Sequence, residues 1–183
     1  MTSNGPDITS FQFERFLLSQ VFTLSLKGVP AFYLPSLLAS PNDIDTFRKT
    51  GQRRDLNREK FEASKLSDLL KDFDSPASKN ISYLSQVIKV RSRLPAFHPE
   101  AFMKCISTNI SNCIMIQRGL GEDIVYVICN MSDKYLNIPL LNELHLLKST
   151  SEKNLIDYIT GSHLNIHSFT LNPYQVVWVS LAD

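Results

Sequence analysis

The sequence predicts an α/β segment followed by a small, all-β, sandwich-like antiparallel domain. Three observations carry this reading. A helical pattern, a tight turn and a short apolar run follow one another between residues 13 and 34, which is half of an α/β repeat. Beyond Pro99 the chain breaks into short β-rich runs separated by Asn, Ser, Gly and Pro, the pattern of an antiparallel domain. Finally, the first half offers a single buried strand, and one strand has no sheet. Residues 1–95 are therefore read as the incomplete end of an α/β fold and 96–183 as an appended β-domain.

Phe13, Phe16, Leu17, Gln20, Val21 and Leu24 recur at spacings of three and four, predicting a helix over 13–26 with one broad apolar face. Ser10 is the expected N-cap. Gly28 and Pro30 end the helix just after Lys27, a cation suited to a helix C-terminus. Val29-Pro-Ala-Phe-Tyr-Leu34 has no polar alternation, as in a strand buried on both faces. Residues 35–61 lose periodicity and are read as a long, functional loop. Leu66, Leu69, Leu70 and Phe73 mark a short helix ending before Pro76, and Ile81, Leu84, Ile88 and Arg91 mark another over about 77–93. Leu94–Pro99 is a stiff boundary. The β-runs are 102–107, 113–117, 124–130, 155–158, 166–171 and 175–181, with alternation plain in Ile166-His-Ser-Phe-Thr-Leu171.

The 183 residues are 43% hydrophobic and 20% charged, an ordinary globular composition. A net charge of +1 points to neither nucleic acid nor an acidic partner. No uninterrupted apolar stretch is long enough to span a membrane, because Lys27, Gly28 and Pro30 interrupt 16–35. Asp7 and Glu14 stand where a signal peptide needs positive charge. Cys105, Cys113 and Cys129 show no C-x-x-C spacing and are read as buried, reduced thiols, consistent with a cytoplasmic protein.

The densest polar cluster runs from Arg48 to Lys60, with six basic residues (48, 49, 53, 54, 58, 60) and two acidic ones (55, 59). A solvated loop is the plain reading. A nucleic-acid patch lacks an aromatic platform. An anion or sugar site suits arginine, whose planar fork matches phosphate. His163 and His167 lie on a strand-like stretch without the Glu of H-E-x-x-H, and with His98 and His145 they are read as structural or surface residues. Asp43, Asp45, Asp55, Glu59 and Glu62 show no pattern that argues for a catalytic pair. No metal site, phosphate-binding loop or nucleophile elbow is present in the sequence.

Gly28-Val-Pro-Ala-Phe-Tyr33 resembles the eighth barrel strand of glycoside hydrolase family 13, the α-amylase superfamily. Ser36-Leu-Leu-Ala-Ser40, Asn42-Asp43, Arg48-Lys-Thr50 and Arg54-Asp-Leu-Asn-Arg58 are similar to the loop after that strand in its sucrose-phosphorylase subfamily. Ser36-Leu37, Asn57-Arg58-Glu59 and Ala96-Phe-His-Pro99 lean toward its glucosylglycerate-phosphorylase-like branch. Arg15-Phe-Leu-Leu-Ser-Gln20 resembles the helix after strand 7, and Leu171-Asn-Pro-Tyr-Gln-Val-Val-Trp178 the closing strand of the C-terminal domain. Pro35, Ala39 and Gln52 depart from that branch, which usually carries His, Gly and Arg there.

The resemblance implies the last part of a (β/α)8 barrel (helix 7, strand 8, helix 8) followed by the β-domain. It implies a retaining α-glucosyl transfer to phosphate through a covalent glucosyl-enzyme, with sugar and inorganic phosphate as partners and no metal or organic cofactor. The family's three catalytic carboxylates follow strands 4, 5 and 7, so none is carried over to a position here. A barrel takes roughly 250 residues, so the chain is expected to be the C-terminal portion of such an enzyme, inactive alone. A truncated gene or a separately encoded barrel fragment would each account for that. Arg54 is the residue implied to meet phosphate at the acceptor subsite, and Asn42, Asp43, Asn57 and Arg58 are implied to shape the same loop. The alternative is a non-catalytic carbohydrate-binding or subunit-interaction module, for which an exposed aromatic platform would be diagnostic. Trp178, the only tryptophan, is expected in the core instead.

Overall fold

A computed structural model describes residues 11–58, 60–140 and 154–181. The helices are α1 (Gln12–Ser25), α2 (Leu34–Leu37), α3 (Ile44–Thr50), α4 (Ala63–Lys71) and α5 (Pro76–Arg93), with 3-10 turns at Arg53–Asn57, Pro95–Phe97 and Gly121–Asp123. The strands are β1 (Met103–Ile106), β2 (Cys113–Arg118), β3 (Val125–Asn130), β4 (Leu136–Ile138), β5 (Leu155–Asp157), β6 (His163–Leu164), β7 (Phe169–Leu171) and β8 (Val176–Leu181). They form an antiparallel six-stranded sheet, β1-β2-β3-β8-β5-β6, and a two-stranded sheet, β4-β7.

The two central strands explain the layering. Every residue of β3 is buried, as is β8 up to Ser180. Successive side chains of a strand point to opposite faces, and here both faces are covered. Val125, Val127, Cys129, Val176 and Trp178 face Leu18, Val21 and Leu24 of α1 and Leu84 and Val87 of α5. Tyr126, Ile128, Val177 and Val179 face Ile138, Phe169 and Leu171 on the small sheet and Leu140 just beyond β4. The helical half and the β-half thus share the core on one face of the large sheet, and the small sheet covers a second core on its other face.

The C-terminus of α1 is tied into that core by polar groups. A helix end leaves orphan carbonyls, and two distant arginines take them. Arg91 Nε donates to the Leu24 carbonyl at 2.9 Å, and Arg118 donates to the Ser25 carbonyl at 3.0 Å. Arg118 is fully buried and also donates to the carbonyls of Ala96 and His98. Trp178 Nε1 donates to Ser25 Oγ at 2.9 Å across the helix–sheet interface, and the ring stacks on Phe97 with centroids 4.2 Å apart. Lys27, the cation expected at this helix end, sits beyond it and is exposed.

The structure corrects several expectations. Residues 29–33 are not a strand, and Val29 is 81% exposed. A strand is defined by its hydrogen-bonded neighbour, and no described segment lies beside this one. The long loop expected over 35–61 is largely helical, built from α2, α3 and the 53–57 turn. The β-run at 166–171 is regular only over 169–171, and β4 and β6 were not expected. Of the three cysteines only Cys129 is buried, while Cys113 is half-buried and Cys105 is exposed. The sheet surrounds Cys129 and its neighbour Cys113 adds to the effect, so that burial pushes the thiol up to about 12. The Ser10 cap, Glu59 and His145 lie outside the described residues; α1 begins instead after Phe11, whose φ is 69°.

Candidate functional site

The candidate residues fall on two neighbouring turns. Asp43 is the N-cap of α3, and its Oδ1 accepts from the Thr46 amide at 2.9 Å. Hydrogen bonds from Thr46, aided by Lys49, hold the Asp43 carboxyl below its ordinary value. An aspartate kept ionised in this way serves as a cap, and it is a poor general acid. Gly51, at φ 69°, ends α3 in the left-handed conformation that glycine adopts without penalty.

The chain then turns back on itself. The Asp43 amide donates to the Leu56 carbonyl at 2.7 Å, joining Asn42–Asp43 to the 53–57 turn. Thr50 Oγ1 donates to Asp55 Oδ2 at 2.6 Å and accepts from the Gln52 amide at 3.2 Å. In a 3-10 turn residues three apart eclipse, so Arg54 and Asn57 project from one edge. Both are exposed, as is Arg58, which follows directly. Arg54 Nε lies 4.0 Å from Asp55 Oδ1. Its terminal nitrogens carry no ion pair among the described residues.

An open depression of about 490 Å³ lies beside this turn, lined by Pro41, Asn42, Asp43, Ile44, Asp45 and Arg48. It takes in two of the five sequence candidates, Asn42 and Asp43, and leaves Arg54, Asn57 and Arg58 outside. Two carboxylates face one guanidinium there, and Arg48 pairs with Asp45 at 3.7 Å. Arg53, Arg54 and Arg58 form a positive edge outside this depression. No group of three His, Cys, Asp or Glu that could hold a metal occurs among the described residues.

The sequence reading missed the groups that hold this region in place. Asn80 of α5 donates from Nδ2 to the carbonyls of Ser36 and Leu37 at 3.0 and 2.8 Å. The signal was present, since Asn80 falls on the buried stripe Ala77–Asn80–Leu84–Val87. A polar residue on an apolar helix face needs a partner.

No protein-family model matches the chain. It is 33% identical over 178 residues, 96% of its length, to the glucosylglycerate phosphorylase of Allomeiothermus silvanus. It is 27% identical over 90% of its length to that of Escherichia coli, and 32% identical over 64% to the sucrose phosphorylase of Agrobacterium vitis. This chain is a relative of the glucosylglycerate and sucrose phosphorylases of glycoside hydrolase family 13. It spans 28% of the length of the two glucosylglycerate phosphorylases. In fold, it superposes on an Anoxybacillus α-amylase with a TM-score of 0.63 at 16% identity, covering 92% of this chain and 32% of the other. It superposes on the Bacillus licheniformis trehalose-6-phosphate hydrolase with a TM-score of 0.65 at 15% identity, covering 97% and 40%. The fold is that of part of an α-amylase-type enzyme with its β-rich domain. The comparisons give no support to a separately encoded barrel fragment. No helix among the described residues is long and apolar enough to cross a membrane.

Proposed function

We propose that this chain is the C-terminal portion of a retaining, α-glucosyl-transferring sugar phosphorylase of the sucrose- or glucosylglycerate-phosphorylase type. Residues 1–95 are then the end of the (β/α)8 barrel and 96–183 the C-terminal β-domain. The likeness to glucosylglycerate phosphorylases along almost the whole chain carries this reading. The exposed guanidinium of Arg54, on a turn pinned to Asp43 through the Leu56 carbonyl, is the feature of the structure that suits it.

In the intact enzyme, a cytoplasmic one, a carboxylate outside this chain holds the glucosyl unit as an ester. A phosphate oxygen attacks the anomeric carbon, the ester bond breaks, and glucose 1-phosphate leaves with retention. Arg54 pairs with that phosphate, since a guanidinium fork binds it bidentately. Asn42, Asp43, Asn57 and Arg58 shape the turn that presents it. The chain alone is inactive, because the three catalytic carboxylates of the family match no position of its sequence. The module reading has less support, because Trp178 is fully buried and offers no platform for a sugar.

The test has two arms. The purified chain, given sucrose or glucosylglycerate plus phosphate, is assayed for glucose 1-phosphate, and none is expected; release would place the catalytic carboxylates within these residues. Inorganic phosphate is then titrated against the chain and followed by 31P line broadening. Broadening that disappears in Arg54→Ala is expected, and equal broadening in both proteins would remove Arg54 from the phosphate site.

A further inference from the structure

The segment from Gly28 to Leu37 leads through α3 to the Arg54 turn, yet it has no sheet neighbour among the described residues to hold it. Its side chains alternate all the same. Val29, Ala31 and Tyr33 are exposed while Pro30 and Phe32 are partly covered, and Phe32 packs on the core. Something other than a strand ladder fixes this conformation.

Both ends are held from one helix. At the near end, Arg91 reaches the Gly28 carbonyl at 3.0 Å while its Nε holds the Leu24 carbonyl. The Gly28 amide donates to the Pro99 carbonyl at 3.2 Å, and Gly28 sits at φ 105°, a conformation open to glycine. At the far end, Asn80 takes the Ser36 and Leu37 carbonyls at the C-terminus of α2. Asn80 and Arg91 are eleven residues apart. At 3.6 residues per turn they lie on the same face of α5, about three turns from one another.

Asn80 shows that this grip has a cost. Both of its partners are carbonyl oxygens, so the amide can face them only through Nδ2. Its Oδ1 is left buried and without a hydrogen-bond partner among the described residues. A residue chosen for core packing alone would be apolar at this position.

We infer that Asn80 and Arg91 are positioning residues that clamp the two ends of the 28–37 segment and so set where the Arg54 turn is presented. The importance of that turn for phosphate rests on the function proposed above; the clamp itself does not. α5 acts as a splint: it holds the extended residues 28–33 and the α2 turn in place by hydrogen bonds to backbone carbonyls.

The test is amide hydrogen exchange on the whole chain, with melting temperature and phosphate-induced 31P broadening measured in parallel. In Asn80→Ala the amides of Leu38, Ala39 and Ser40, which close the end of α2, are expected to exchange at least tenfold faster, while those of β3 and β8 stay unchanged. In Arg91→Ala the Gly28 amide is expected to do the same. Arg91→Lys should fail to restore it, because one ammonium cannot span both carbonyls. Unchanged exchange at Gly28 and at residues 38–40 would overturn the clamp. If Asn80→Ala does not fold, the Gly28 amide in Arg91→Lys decides the question. Faster exchange in these variants, in a chain whose wild type shows no phosphate broadening, would keep the clamp and remove the phosphate reading.

Discussion

At the scale of single residues, Ala39 shows how a departure from the family pattern is absorbed. It is buried and sits at φ 49°, where the related branch usually carries Gly. The left-handed conformation costs an L-residue about 1–2 kcal/mol. Replacing it by Gly relieves that, but loses one buried methyl worth about 0.8 kcal/mol and frees the unfolded backbone by a further ~0.5–1 kcal/mol. These nearly cancel, so Ala39→Gly is expected to leave stability within about 0.5 kcal/mol. Ala39→Val adds a β-branch where φ is positive and the site is closed, and should cost at least ~2 kcal/mol. Urea unfolding of the two variants checks both. Asp157 is a second case. It is 1% exposed, and its carboxylate accepts from the amides of Trp178 and Ile159 and from the Thr160 hydroxyl. Burial nonetheless pushes its carboxyl above the ordinary 3.8. A raised folded value means the folded chain binds the proton more readily than the unfolded one. The group's contribution is therefore fully present below 3.8 and is lost as pH rises through the folded value. Asp157→Asn removes this dependence while keeping an Oδ1 acceptor. The melting temperature of the wild type relative to this variant should thus climb as pH falls from neutrality toward 4; a constant difference would mean the carboxyl is not raised. Neither Asp157 nor Arg118 was singled out by the sequence reading, although period-2 alternation puts Asp157 on the face of Leu155 and Arg118 on that of Ile116. The polar character of each side chain hides its place in the pattern.

At the scale of elements, the sequence was most legible where a regular period runs long enough to be seen. α1 and α5 and strands β2, β3 and β8 lie within a residue or two of where their apolar spacing puts them. The segment 29–34 was misread for an instructive reason. Its composition suits a strand between two others, and a strand's pairing lies outside its own residues. β4 and β6 were missed because two or three residues carry no period. One boundary was legible and unused: Ser75-Pro76 is a helix start, with Ser as N-cap and Pro in the first turn. Ser75 Oγ accepts from the Ser78 amide at 3.0 Å and donates to the Leu69 carbonyl of α4 at 2.8 Å. One buried hydroxyl therefore starts α5 and fixes α4 against it. Ser75→Ala removes the cap and leaves a carbonyl unpaired, and should cost about 1–2 kcal/mol. Pro76→Ala removes no hydrogen bond and should change stability by less than about 1 kcal/mol. Thermal unfolding of the pair separates capping from backbone stiffness; equal losses would mean that Ser75 acts only through its backbone.

At the scale of the whole molecule, the shared core and the exposed apolar residues pull in different directions. The core spans both halves, so helices and sheet should unfold together. Yet Val29, Tyr33 and Leu34 stand on one short segment that has no sheet neighbour among the described residues, with Val29 at 81% exposure, and Phe73 is 85% exposed. Scattered single apolar residues are normal on a surface, but several exposed together on one short segment form a surface for association. Because these side chains contribute little to the core, replacing them should separate association from stability. Val29→Ser with Leu34→Ser is expected to reduce self-association in sedimentation velocity and to lower binding of a hydrophobic dye. The melting temperature should hold, since substitution of exposed residues usually shifts stability by no more than about 0.5 kcal/mol. A fall in melting temperature of many degrees would show instead that the segment folds down onto the core in solution. An unchanged association state would place the sticky surface elsewhere, with Phe73, on the turn between α4 and α5, as the next residue to change.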